Sequence, residues 1–363
     1  MNATNESFNP ENEAAYIVTE KIKTFYPPVL MIFGIFGNVL SILVLRKRTC
    51  SSTSLLLISL AVTDTFVLLN SVLKKWIFFM LNLEPRNSSA IFCKVDIFLS
   101  YVLIQLSPWI LVLVTLERTY CVIWPQNVRD VFTKRRIAVA LSALIMCLSA
   151  INSHLLFIYD LIFEERIRRV ICYPRNETFV FKIWTWIDLA LAFGIPFCAL
   201  LTGNLTILIR ILSSNKFRKS SVTCRTKRET SKSALQSKKP VSQWTVMTLI
   251  LNTTFFVLIC PSVTFGIGQV YWFPEEEASV ASYAKMLLVS EIVFMLMYTN
   301  SAINFVLYMM FGSKFRADLK ALLFPLKRFS KNKNKSRATI VLHTSSGSHV
   351  SNCHQSSTHH VTT

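Results

Sequence analysis

The chain of 363 residues is 52% hydrophobic and only 16% charged, against roughly 25% charged residues in a soluble domain. That balance supplies several membrane crossings and too few charges to hold them in water. The formal charge of +19 is not a nucleic-acid footprint, because Lys and Arg gather in short segments after alternate apolar runs and in the tail, a topology pattern rather than a groove-binding patch.

In chain order, residues 1–25 are polar and partly acidic, with no short apolar signal-peptide core, so the first apolar run is expected to direct insertion itself. Seven runs follow, at about 26–46, 53–82, 93–123, 136–160, 182–212, 243–272 and 281–310. Each exceeds the roughly 20 residues that a helix needs to cross hydrocarbon. None alternates apolar and polar residues as a barrel strand does. The expected fold is an all-α membrane protein: a seven-transmembrane helix bundle over 26–310, a short amphipathic surface helix over 311–325, and a polar, disordered tail over 326–363.

The loops predict orientation. Arg46, Lys47 and Arg48 follow the first run; Arg129, Lys134, Arg135 and Arg136 follow the third; Lys216, Arg218, Lys219 and further basic residues to Lys239 follow the fifth. Positive charge marks the cytoplasmic side, which leaves the N-terminus outside. The glycosylation sequons at Asn2, Asn5, Asn87 and Asn176 fall on the outer side in this scheme, whereas those at Asn204 and Asn252 lie within spans and should stay unmodified. Of nine cysteines, only Cys93 and Cys172 occupy outer positions. An oxidising exterior lets them pair, two free thiols being the alternative.

Two charged positions interrupt the apolar runs. No Asp, Glu, Lys or Arg occurs from Ile97 to Leu116, and then Glu117 and Arg118 stand side by side. Asp64 sits in mid-span, and an unpaired carboxylate there is a functional-site hypothesis by default.

The ordered motifs resemble those of the rhodopsin-like G-protein-coupled receptors over about residues 26–322. "GIFGNVLSILVL" is similar to the first-span motif, with Asn38 as its Asn; "LAVTD" to the second, with Asp64; and Cys93 precedes Arg118 by the usual spacing. Pro196 and Pro261 match the prolines of spans five and six, and "NSAINFVLY" matches the seventh-span motif at Asn304 and Tyr308. "LERTYCVIWP" resembles the DRY motif in the form ERT. The resemblance implies that Glu117 holds Arg118 sideways in the closed state, and that Arg118 meets a heterotrimeric G protein when span six swings out, with Asn304 and Tyr308 in the same switch. A plain snorkelling arginine is the simpler alternative. The resemblance also implies a sodium ion as allosteric ligand, the one cofactor-like group expected, held by Asp64 with Ser107, Asn300 and Asn304. A protonated, hydrogen-bonded core Asp64 is the alternative. Zinc spacings, nucleophile–base sets and phosphate loops are lacking, so an enzyme is not expected.

The chain departs from the family at Ile259, where a tryptophan is usual, at Phe305 in place of a proline, at Asn204 in place of a tyrosine, and in a fourth span without its tryptophan. These changes point to altered activation energetics or to a decoy that binds without signalling. Ser100 and Tyr298 stand where amine receptors carry an aspartate and light receptors a lysine, which argues against both ligand classes. The outer half instead carries Lys74, Lys75, Tyr101, Gln105, Asp188, Gln269 and Glu291 as candidate ligand contacts, beneath a loop around Cys172 whose alternation predicts a hairpin. Such a charged mouth suits an extracellular peptide, and the last motif resembles neuropeptide receptors of the FMRFamide and myosuppressin kind and some vertebrate orphan peptide-like receptors. A non-aminergic small molecule stays open. So does internal pairing of Glu291 or Asp188 with Lys74 or Lys75. Ser345, Ser346, Ser348, Ser351, Ser356, Ser357 and Thr358 form a candidate receptor-kinase target for arrestin recruitment, and the basic inner loop should attract anionic membrane lipid.

Overall fold

The computed structural model describes residues 14–47, 52–165, 168–223, 243–273 and 280–324. The Asn2 and Asn5 sequons, most of the basic loop before span six and the Ser/Thr-rich tail lie outside them. The chain divides into two units, Met1–Asp318 and Leu319–Thr363.

Among the described residues, seven helices are long and apolar enough to cross a membrane. They are α1 (Ala14–Arg46), α2 (Ser52–Leu81), α3 (Ala90–Ile123), α4 (Lys134–Ile158), α5 (Phe179–Ser213, with helical backbone continuing to Thr223), α6 (Gln243–Trp272) and α7 (Val280–Phe311). A further helix, α8, spans Ser313–Leu323. Their outward faces are apolar: Phe33 is 72% exposed, Met146 71% and Val257 65%. In water such a surface would drive aggregation; in lipid it is the solvated face. Half of the apolar windows of both α2 and α3 is buried but only 17% of that of α5, which sets α2 and α3 inside the bundle and α5 at its margin.

α1 begins at Ala14, about three turns before the expected 26, because hydropathy marks where a helix enters lipid and not where it starts. The helix runs through Pro27 and Pro28. Pro28 has no N–H for the Thr24 carbonyl four residues back, and the Trp76 indole N–H supplies it at 3.1 Å. α5 solves the same problem differently. Its backbone makes a π turn over Ala190–Gly194, so the Ile195 N–H bonds to Ala190. Pro196 then cannot serve Leu191, and the Trp109 indole N–H on α3 does so at 2.9 Å. Two further π turns, Leu68–Val72 in α2 and Phe179–Trp184 in α5, rotate the helix segments around them.

α1 packs closely on α7 because it presents glycines at the contact. A Cβ on Gly37 would lie 2.8 Å from Phe305 Cβ, and one on Gly34 2.8 Å from Ala302 Cβ. Leu30, Met31, Leu68, Val72 and Ala302 form the core there. α8 begins beyond Gly312, and its Phe315 packs on Phe305 and Tyr308, with ring centroids 5.9 and 5.4 Å apart. Phe315 and Leu319, four residues apart, are both buried, the spacing of one face of an amphipathic helix.

Span four was expected to reach residue 160, but the helix stops at Ile158 and the chain becomes strand β1 (Tyr159–Glu164), paired antiparallel with β2 (Arg169–Pro174) in a register that sets Leu161 opposite Cys172. Cys172 is disulfide-bonded to Cys93 at the start of α3, and four of the remaining cysteines, Cys121, Cys147, Cys198 and Cys260, are free. Asn87 fixes the same junction, its side-chain oxygen accepting the Cys172 N–H at 2.8 Å. Asp160 in β1 is held by its neighbour's N–H at Leu161 and by Lys94 and Arg175, and these contacts keep its carboxyl below the usual aspartate range. The hairpin is thus pinned to α3 by one covalent bond and a cluster of charges.

Candidate functional site

Among the described residues three polar groups break the apolar interior: one ties α3 to α2, the second ties α3 to α2 and α7, and the third ties α3 to α5 and α6.

The first lies near the end of α3. Glu117 and Arg118 are 2% and 7% exposed. One Arg118 amino group ion-pairs with Glu117 at 3.1 Å and donates to the Thr53 hydroxyl. The other Glu117 oxygen accepts from Thr53 at 3.0 Å and from Ser52. The two hydroxyls at the start of α2 therefore share the restraint with Glu117. Nothing in the sequence singled them out, because Ser and Thr are common in spans. Tyr308, fully buried, stands on α7 against Phe315.

The second group surrounds Asp64, which has no exposed surface. Its carboxylate accepts from the Ser107 hydroxyl and the Asn304 amide, each at 2.8 Å, and Ser301 also hydrogen-bonds it. Asn300 makes no hydrogen bond among the described residues and lines the neighbouring cavity. Among the described residues no basic side chain ion-pairs with Asp64. A buried, uncompensated carboxylate needs a proton or a cation, and hydroxyl, amide and carboxylate oxygens are the donor set of a hard cation.

The third group joins α3, α5 and α6. The Asn252 amide donates to Asn204 at 2.7 Å and to the Thr115 hydroxyl at 2.9 Å, while its own oxygen is buried without a partner. Gly203 permits the approach, since a Cβ there would lie 2.5 Å from Thr115 Cγ2. Asn204, which stands where the resemblance implies a tyrosine, thus serves as the acceptor for Asn252.

A cavity of about 710 Å³ opens between α3, α5, α6 and α7, within the range of small-ligand sites. Asp188 and Gln269 line it, with Tyr271 and Trp186 exposed at the rim and Ser107, Asn300 and Ser301 at the other end. The remaining candidate contacts are engaged elsewhere and are not among its lining residues. Lys75 ion-pairs with Glu291 at 2.9 Å and lies over the Phe294 ring. Lys74 ion-pairs with Asp96, which also neighbours Arg86 at 3.9 Å. Tyr101 packs against Trp184. Gln105 is fully buried behind Asp188, donating to its carboxylate at 2.8 Å, and accepts at 2.7 Å from Asn152. Internal pairing is therefore the state of Glu291. Asp188 is different: it has no basic partner among the described residues, and a buried pair of amides aims it at the cavity.

Among the described residues no cluster of His, Cys, Asp and Glu could hold a metal ion. A search of curated protein sequences returned no match. The family model described as 7 transmembrane receptor (rhodopsin family) matches residues 37–308, which takes in α1 from Gly37 through Tyr308 of α7 and every polar group described above. The chain belongs to the rhodopsin family of G-protein-coupled receptors, signalling proteins rather than enzymes, and is a multi-pass protein of the plasma membrane.

Proposed function

We propose that this receptor binds an extracellular peptide through a cationic group and activates a heterotrimeric G protein from the Arg118 end. The observation that carries the reading is Asp188: a carboxylate in the wall of a ligand-sized cavity, positioned by Gln105 and Asn152 and without a cationic partner among the described residues. A guanidinium or ammonium group supplies that cation and recovers the desolvation cost of the carboxylate. With the basic loops on the cytoplasmic side, as their charge favours, the N-terminus and the hairpin lie outside the cell and Arg118 inside. Asn87 and Asn176 then face the exterior as glycosylation sites.

Ligand binding shifts a closed–open equilibrium. In the closed state Glu117, Ser52 and Thr53 hold the Arg118 corner, and Asn252 holds α6 to α3 and α5. Outward movement of α6 breaks the Asn252 contacts and frees Arg118 for the G protein. Because the G protein binds the open form, it also tightens agonist binding by the same factor. A sodium ion on Asp64, with Ser107, Ser301 and Asn304 as neighbours, favours the closed form. Phosphorylation of the tail by a receptor kinase recruits arrestin.

A peptide-library screen with second-messenger readout tests the reading. Active peptides should share a cationic group, and Asp188→Asn should weaken them at least tenfold while Glu291→Gln changes the response less. Hits without a cationic group, or potency unaffected by Asp188→Asn, would remove the basis for it.

A further inference from the structure

A second cavity, of about 540 Å³, lies between β2 and the segment that joins α2 to α3. Phe78 and Leu83 line it from the α2 side and Val170 from β2, and they are 47%, 59% and 46% exposed. Lipid does not cover them. Phe78 lies 14 residues beyond Asp64, about 21 Å along α2, whereas the hydrocarbon ends roughly 15 Å from its midplane. Apolar side chains gathered around a groove outside the lipid mark a surface that binds something.

Asn87 joins the two sides and also lines the groove. Its Oδ1 accepts the Cys172 N–H at 2.8 Å, which fixes the amide and leaves Nδ2 as its free end. Nδ2 makes no hydrogen bond among the described residues and keeps solvent access. Residues 87–89 read Asn-Ser-Ser, a sequon, so the atom that carries a glycan is held at the groove by its own side chain's oxygen. The rim carries both signs. Glu84 pairs with Arg86 at 2.8 Å, and Arg169 makes no ion pair among the described residues. An ion of either sign therefore meets a like charge. A sugar does not: its C–H face packs on the electron-rich face of an aromatic ring, and its hydroxyl and acetamido groups use both donors and acceptors. Asn176 is different, for it is exposed and lines neither this groove nor the central cavity.

We infer that this groove is an intramolecular carbohydrate site, which seats the innermost N-acetylglucosamine residues of a glycan on Asn87, with the first sugars packed on Phe78 and Leu83 and hydrogen-bonded at the Arg169 rim. The inference rests on the reading of Asn87 as an outer glycosylation site and is independent of the ligand at Asp188. Attachment replaces one Nδ2 hydrogen by a bond to the anomeric carbon of the sugar, and the diphosphate of the activated glycosyl donor leaves with the proton. The seated sugars cover the apolar groove and staple the α2–α3 segment to the hairpin, beside the disulfide that already joins α3 to β2. A glycan on Asn176 projects freely into water.

The test uses full-length receptor from cells that N-glycosylate, with glycopeptide mass spectrometry to read occupancy at Asn87. The probe is an endoglycosidase that cuts between the two innermost sugars, applied to the native receptor in nanodiscs. Cleavage at Asn87 should be about fivefold slower than at Asn176, the order expected of one ring-face contact. Phe78→Ala should speed cleavage at Asn87 by that factor and leave Asn176 unchanged. A second variant separates the sugar from the side chain that carries it. Ser89→Asn deletes the sequon, leaves Asn87 on Cys172, and keeps a cap for α3, where Ser89 accepts the Phe92 N–H. Amide protection of residues 82–87 should fall about fivefold in Ser89→Asn and in Phe78→Ala, and no further in the double variant, because both remove the same contact. An unmodified Asn87 would overturn the inference together with the sequon reading. A glycosylated Asn87 whose cleavage rate ignores Phe78→Ala, or protection losses that add in the double variant, would overturn the inference alone and leave the glycosylation standing.

Discussion

Replacing Asn252 by leucine should switch the receptor on without ligand. In the closed bundle the Asn252 amide makes two buried hydrogen bonds, to Asn204 on α5 and Thr115 on α3. Each contributes about 1 kcal/mol net, so their loss removes about 2 kcal/mol from the closed state. That is about a 30-fold change in the closed–open equilibrium, and a receptor open about 1% of the time becomes open about 20–25% of the time. Leucine has nearly the same shape, and it also deletes the amide oxygen that is buried without a partner, so the fold should survive. The Thr115 hydroxyl still has its own acceptor at Leu111, which limits collateral damage. Thr115→Val removes only one of the two bonds and should give about a fivefold change. The assay is ligand-free nucleotide exchange on purified G protein, normalised to receptor amount and melting temperature. Unchanged basal exchange in well-folded Asn252→Leu receptor would refute the idea that these bonds hold α6 in place.

Arg118→Ala should abolish G-protein activation while surface expression and ligand binding stay near wild type, and signalling that persists would remove Arg118 from the mechanism. Asp64→Asn should eliminate any dependence of agonist affinity on sodium, measured by titrating sodium against potassium at constant ionic strength; retained dependence would place the ion elsewhere. Gly37→Val should cost about 1–3 kcal/mol and lower the melting temperature, because its Cβ would meet Phe305 Cβ at 2.8 Å, an atom that Phe305→Ala keeps, so that second change should not rescue it; an unchanged melting temperature would contradict the close α1–α7 contact. Asp160, whose carboxyl is held low by Leu161, Lys94 and Arg175, should stabilise the hairpin above the ordinary aspartate range and cease to do so as pH falls through its lowered value. Protection factors of the β1–β2 amides, referenced to intrinsic exchange at each pH, should therefore fall on strong acidification in wild type but not in Asp160→Asn, and identical profiles would contradict the assignment.

Apolar periodicity carried most of the fold, since lipid demands long uninterrupted helices and the chain has no cheaper way to satisfy its backbone. The ends were less legible. Nothing in "AAYIVTEKIKTFY" changes hydropathy sharply at Ala14, and the strand that begins at Tyr159 continues the apolar character of α4. The π turns left no composition signal at all. Within the polar groups, charge was visible but partnership was not: Lys74, Lys75, Asp188 and Glu291 look alike in sequence, yet three sit in ion pairs and only Asp188 faces the cavity. Small hydroxyl and amide residues were missed for a related reason. Ser52, Thr53, Ser301 and Asn252 gain meaning only from what the bundle brings beside them.

The central claim is that freeing the Arg118 corner is what turns this bundle into an activator. Nucleotide exchange should be measured without ligand on a panel of purified G proteins, using nanodisc-embedded wild type, Asn252→Leu and the Asn252→Leu/Arg118→Ala double variant. The account predicts raised exchange on at least one G protein for the single variant and a return to background for the double one. Exchange that rises equally in both would contradict it.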